Sequence, residues 1–184
     1  VKNLALAMAL STLMSAPVPD PAAGVRAKIR TIQDRKARRG SDILFTEREL
    51  NLYARSELPL AIPSGVRQPR VELGQGTATG YALIDFRKLQ QGSDTPWLIT
   101  KLIEGERPVR VSARVESGNG KATIFLQRVE ISGIGVSGAT LEFLIDNFFR
   151  PLFPDAKINQ PFDLGPQVER VAVVPAAAHV ILRR

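Results

Sequence analysis

Three kinds of apolar periodicity run along this chain. In "ILFTERELNLYARSELP" the residues Leu50, Tyr53, Ala54 and Leu58 recur at helical spacing. Thr46 with Glu49 three residues on predicts a capping box, Phe45 before it can staple onto Leu50, and Pro59 is expected to stop the helix. Asn51 at the stripe's edge is expected to bond a neighbouring loop. Strand alternation follows. Val71 and Leu73 alternate with Arg70 and Glu72, and the pattern resumes after "GQG" as a second strand through Tyr81, Leu83 and Ile84. Val109, Val111, Ala113 and Val115 face one way on a third strand, and the turn "GNG" at 118–120 reverses the chain. The returning strand carries Ala122, Ile124 and Leu126 on one parity and Val129 and Ile131 on the other, a phase change that predicts a bulge or a strong bend. Val168 to Val174 and Ala178 to Leu182 read as a final pair of strands.

Two further segments are richer in apolar residues than one buried face requires. "WLITKLIE", after Thr95-Pro96 and closed by Gly105, is apolar nearly all round, so it is expected to be buried or to touch lipid. "LEFLIDNFFRPLF" (141–153) holds four of the chain's eight Phe. Leu141, Leu144, Ile145, Phe148 and Phe149 form one stripe opposite Glu142, Asp146 and Arg150, with Ser137 as cap and Pro151 as stop. Phe143, Leu152 and Phe153 lie outside it. This surplus is covered by core packing, by a ligand or by a partner. The elements add up to an α+β fold: a curved antiparallel meander of about six strands packed against three or four helices.

The N-terminal stretch adds a different signal. Lys2 followed by the apolar run Leu4–Met14 and by Ser15-Ala16 has the pattern of an export signal over residues 1–16, and the run is too short to span a bilayer. A periplasmic or secreted location is the expectation, and the absence of Cys excludes a lipidated anchor there. Residues 17–41 are then a basic segment, and 42–184 a single domain. The chain has 25 basic and 18 acidic residues, and the surplus is concentrated. Arg26, Lys28, Arg30, Arg35, Lys36, Arg38 and Arg39 stand against one acid in residues 25–40, and the body after them is balanced. The period there fits helix or strand, with helix expected. These seven side chains are candidates for an anionic membrane surface, worth about 1 kcal/mol per cation near the headgroups; a solvated leader is the plainer alternative. The body lacks a basic patch interleaved with aromatics, so nucleic acid is not expected as a partner.

Catalytic chemistry is thinly represented. There is no Cys and only one His, His179, which removes thiol nucleophiles and His-rich metal sites. "GQGTATG" lies between two strands and "SGIGVSG" lacks a following Lys-Ser or Lys-Thr, so neither reads as a phosphate loop. No catalytic set, cofactor or metal is expected.

The succession "FTERELNLYARSELP", "VELGQGTATGYALIDF", "VRVSARVESGNGKATIFLQRVEISGIGVS" and "ATLEFLIDNF" resembles exported bacterial domains with a tubular lipid-binding (TULIP-like) fold. The resemblance implies a hydrophobic groove between sheet and helices that takes a lipid or another hydrophobic small molecule. Trp97, Leu98, Leu102, Leu141, Leu144, Ile145, Phe148 and Phe149 are the expected lining. The alternative is a structural module that binds another envelope protein through an apolar helix or a sheet edge.

Overall fold

A computed structural model describes residue 20 and residues 22–61, 65–89, 96–154 and 157–184. The expected export signal and Thr95 lie outside the described residues. The architecture is α+β. Strands β2 (Val66–Gly74), β3 (Thr77–Asp85), β4 (Glu106–Gly118), β5 (Lys121–Ile131) and β6 (Ile134–Val136) follow one another as an antiparallel meander. Strand β7 (Pro161–Asp163) pairs with Lys121–Thr123 of β5, while β6 pairs with Val129–Ile131, so the two share one flank of β5 at opposite ends. The sheet is open, not closed into a barrel.

Local chemistry sets the shape of the long β4–β5 hairpin. Asn119 and Gly120 both have positive φ (52° and 75°), as a two-residue turn matched to strand twist requires. The predicted bulge is present: Ser112 pairs with Arg128 and Ala113 with Leu126, which leaves Gln127 as the extra residue. That one residue resets the parity, so Ile124, Leu126, Val129 and Ile131 all face inward.

Strands β1 (Asp42–Thr46), β8 (Val168–Val174) and β9 (Ala177–Leu182) form a second sheet in the order β1-β9-β8. It crosses the hairpin tips of the larger sheet. Gly76 N–H donates to the Val173 carbonyl (2.9 Å), and the Ser117 hydroxyl bonds both Val171 N–H (2.8 Å) and its carbonyl (2.6 Å). His179 sits on this sheet with Nδ1 2.9 Å from Asp42 Oδ2.

Helix α2 (Glu47–Ala61) starts as its sequence demands. Glu49 accepts the Thr46 N–H (2.9 Å) and Glu49 N–H donates to the Thr46 hydroxyl (3.2 Å), a complete capping box. Pro59 does not stop the helix; it lies inside the last turn. A proline forfeits its own N–H bond and clashes backwards, but it does not bar the residues after it from helical angles. The expected partner of Asn51 is the backbone of β2. Its side chain donates to the Val71 carbonyl (2.8 Å) and accepts the Val71 N–H (2.7 Å), while Glu47 accepts the Leu73 N–H (2.8 Å). Side chains of α2 thereby occupy an edge that would otherwise invite strand addition.

The basic segment opens with helix α1 (Ala23–Gln33), which is docked on α2. Val25 and Ala22 are buried, Arg26 pairs with Asp20 and Glu57, and Lys28 reaches Glu49 (2.6 Å) and the Leu44 carbonyl (2.7 Å). The Lys28 hydrogen bond, aided by the Thr46 donors against some burial, holds the Glu49 carboxyl below its ordinary value. The folded unit therefore takes in α1, ahead of the boundary expected at residue 42.

The larger sheet packs its inner face on α3 (Phe86–Leu89), α4 (Trp97–Ile103) and α5 (Gly138–Leu144), which runs on as a π-helical turn over Ile145–Phe149. Ile131, 1 % exposed, sits in this core with Phe86, Leu89, Ile99, Ile103, Leu144 and Phe148. Burying such a side chain contributes roughly 1.5–3 kcal/mol. Ser137 occupies the N-cap position of α5 but makes no side-chain capping bond.

Candidate functional site

The inner face of the meander does not fill completely. Between the sheet and the α5–π segment lies a cavity of about 410 Å³ whose lining, among the described residues, is all apolar. Strand β4 supplies Val109, Val111 and Ala113, and β5 supplies Ile124, Leu126, Val129 and Ile131. Leu58 of α2, Val66 of β2 and Ile84 of β3 extend this wall. Opposite stand Phe86 and Leu89 of α3, then Leu141, Leu144, Ile145, Phe148 and Phe149, and finally Leu152, Phe153 and Ile158. Ile124, 38 % exposed, is the most exposed of these lining residues.

Two local irregularities create this space. The bulge at Gln127 turns two strand parities toward it. The π turn, closed by Arg150 N–H to the Ile145 carbonyl (2.9 Å), widens the helix beneath the aromatic pair. Wider turns of this kind are frequent at binding sites. Phe148 is buried edge-on to Phe86 (centroids 5.2 Å) and near Phe143 (6.3 Å), whereas Phe149 stacks with Phe153 (5.1 Å). Phe148 thus belongs to both the packed core and the cavity wall.

Of the residues expected to line a groove, the structure brings Leu141, Leu144, Ile145, Phe148 and Phe149 together on one wall. Trp97, Leu98 and Leu102 do not join them. Helix α4 buries Ile99 and Ile103, one turn apart, and this choice of face leaves Trp97 at 66 % and Leu98 at 64 % exposure. Leu102 packs on the core without reaching the cavity. The Lys101 ammonium lies over the Trp97 ring, 5.3 Å from its centroid. The α3 residues Phe86 and Leu89 were missed because "DFRKL" continues a strand in the sequence; the basic pair inside it is its only local departure from alternation.

The basic side chains expected at a membrane surface divide into three groups. Arg26 and Lys28 are spent on α1–α2 ion pairs, and Lys36 pairs with Asp34 (3.0 Å). Arg35 and Arg39 line a separate polar pocket with Gln167, Arg183 and Arg184, against the small sheet. Arg30 and Arg38 lie on α1 and the loop after it.

A polar cluster lies around Tyr81 on the outer face of the larger sheet. Tyr81 is flanked by Arg70 (4.3 Å) and Arg110 (5.7 Å) and donates to Glu72 (2.7 Å). That bond raises the Tyr81 hydroxyl and lowers the Glu72 carboxyl from their ordinary values. Among the described residues, no cluster of three or more His, Asp or Glu is placed to hold a metal, and no helix is long and apolar enough to cross a membrane. No family model, no curated protein and no solved structure matches the chain.

Proposed function

We propose that this chain is a non-catalytic binding protein whose ligand is a lipid or another hydrophobic small molecule, held between the sheet and the α5–π segment. One observation carries the reading: a cavity of about 410 Å³ in which every wall residue among the described ones is apolar. That volume falls within the roughly 300–1,000 Å³ usual for small-molecule sites. Apolar walls of this extent are costly to leave against water, and covering them is favourable in proportion to the area removed from it. A hydrocarbon chain covers them without asking for any hydrogen bond. The resemblance to tubular lipid-binding domains supports the same reading, and the export expectation makes the cell envelope its setting. The test is titration of delipidated protein with N-phenyl-1-naphthylamine, a neutral probe that brightens in apolar surroundings. Saturable binding with one site per chain, displaced by long-chain lipid, is expected; an absence of saturable binding rejects the reading.

The exposed pair Trp97 and Leu98 favours a second reading, a module that docks on another envelope protein or on a bilayer. The β2 edge is already occupied by Asn51 and Glu47, so α4 is the surface this reading uses. Trp97 is the chain's single Trp, and its emission reports on that surface alone. With 5-hydroxytryptophan in its place, excited to the red of ordinary Trp, a spectral shift on adding vesicles or an envelope extract supports docking, and an unchanged spectrum rejects it.

A further inference from the structure

Bordering the apolar cavity lies a pocket of opposite character. It measures about 360 Å³ and is lined by Ile145, Arg150, Pro154, Lys157, Ile158, Asn159 and Gln160. Ile145 and Ile158 line the apolar cavity as well, so the two spaces share a border. Among the described residues, one side offers only hydrocarbon and the other offers two cations and two amides.

We propose that this pocket is a headgroup site, and that the ligand is an anionic amphiphile. Its apolar chain lies in the cavity and its carboxylate or phosphate rests on Arg150, Lys157, Asn159 and Gln160. The inference deepens the lipid reading and rests on it. The first argument is exclusion. A charged head is disfavoured in a space whose walls, among the described residues, are all apolar, because its desolvation would not be compensated. It sits better outside, and the border at Ile145 and Ile158 leads directly to the two cations.

The second argument is that the segment is held in place. Between β6 and β7 the flank of β5 is free for sheet pairing, and residues 158–159 fill the gap. Ile158 bridges to Ile124, Asn159 N–H donates to the Ile124 carbonyl (2.9 Å), and Asn159 Oδ1 accepts the Leu126 N–H (2.8 Å). Asn159 adopts φ +57°, a left-handed conformation its short polar side chain tolerates. Its oxygen is committed inward, so its NH₂ group is the donor left for a ligand.

The third argument is availability. The partner of Arg150 is Asp146 at 3.2 Å, and both side chains are more than half exposed (68 % and 56 %). Such a pair is weak and yields to a competing anion. A guanidinium fork suits carboxylate and phosphate alike, and a lysine adds a point charge. The richer arginine cluster at Arg35, Arg39, Arg183 and Arg184 has no lining residue in common with the cavity. It cannot serve a head whose tail lies there.

The experiment uses the full, delipidated chain with N-phenyl-1-naphthylamine bound, displaced by dodecanoate, dodecyl phosphate or dodecanol. The tail is constant and only the head differs. At least one anion is expected to compete about tenfold better than the alcohol, an advantage that shrinks as salt rises. The stronger anion identifies the head as carboxylate or phosphate. The double variant Arg150→Gln/Lys157→Gln should erase the advantage while dodecanol competes as before, and Arg150→Lys with Lys157 intact should retain much of it. Both side chains are exposed, so an unchanged melting curve confirms that the variant folds. Equal competition by all three ligands, or a double variant that binds the anions as well as the parent, overturns the headgroup site and leaves the groove intact. A protein that takes up neither probe nor any ligand overturns both.

Discussion

Ala113→Leu is expected to stabilise the protein and to weaken ligand binding. Ala113 lies on β4 just beside the bulge, pairs with Leu126, and lines the cavity. Leucine adds three carbons that have room to enter it. At about 0.8 kcal/mol per buried methylene the gross gain is about 2 kcal/mol, and ordering the longer side chain returns roughly 0.5–1 kcal/mol of it. A net gain of about 1–1.5 kcal/mol corresponds to a rise of roughly 2–6 °C in Tm for a chain of this size. A filled core makes the opposite forecast, because extra methylenes there cost about 1–3 kcal/mol in strain. The sign alone therefore decides. Urea unfolding of delipidated parent and variant, followed by circular dichroism, gives the stability; titration with N-phenyl-1-naphthylamine gives the binding. A loss of 1 kcal/mol or more at unchanged denaturant slope, with probe binding unaffected, would refute the reasoning.

Phe148→Ala should cost about 3–5 kcal/mol in the same unfolding assay, because Phe148 is 4 % exposed and packs edge-on against Phe86; a loss under 1 kcal/mol would mean that the ring mainly faces empty space. Asn51→Ala removes both side-chain bonds to Val71 and should cost about 1–3 kcal/mol, with faster amide exchange at Val71 as the local readout. Glu49 is held below its ordinary 4.5, chiefly by Lys28, so its carboxylate favours the folded state. That contribution is complete above the unfolded value and fades as pH falls through the lowered one. Urea midpoints measured from pH 6 to pH 3 should fall less steeply in Lys28→Met than in the parent, and parallel curves would contradict the coupling.

Features encoded within a few residues were legible in the sequence. The Thr46–Glu49 box, the Asn119-Gly120 turn and the bulge at Gln127 each follow from local spacing, and together they set the hairpin whose inner face lines the cavity. The stripe from Leu141 to Phe149 was legible because polar residues stand opposite it. Helix α4 was not, because a segment apolar on nearly all sides does not declare which side is buried; packing chose Ile99 and Ile103 and turned Trp97 outward. The small sheet joins residues 137 positions apart, as Asp42 and His179 illustrate, and no local period records such a pairing. The polar pocket was equally hidden. Arg150 reads as part of the helix's polar face and Lys157 carries no local signal; the pocket forms only because Asn159 fastens the following segment to β5.

The central claim is that the cavity holds a hydrophobic ligand. Its most direct test is native mass spectrometry of the chain purified from its own source, with solvent extraction of the same sample. The account predicts a bound species of lipid mass, one per chain, that leaves on extraction and rebinds when added back. A chain that carries only its own mass, and gains none when lipid is supplied, would contradict it.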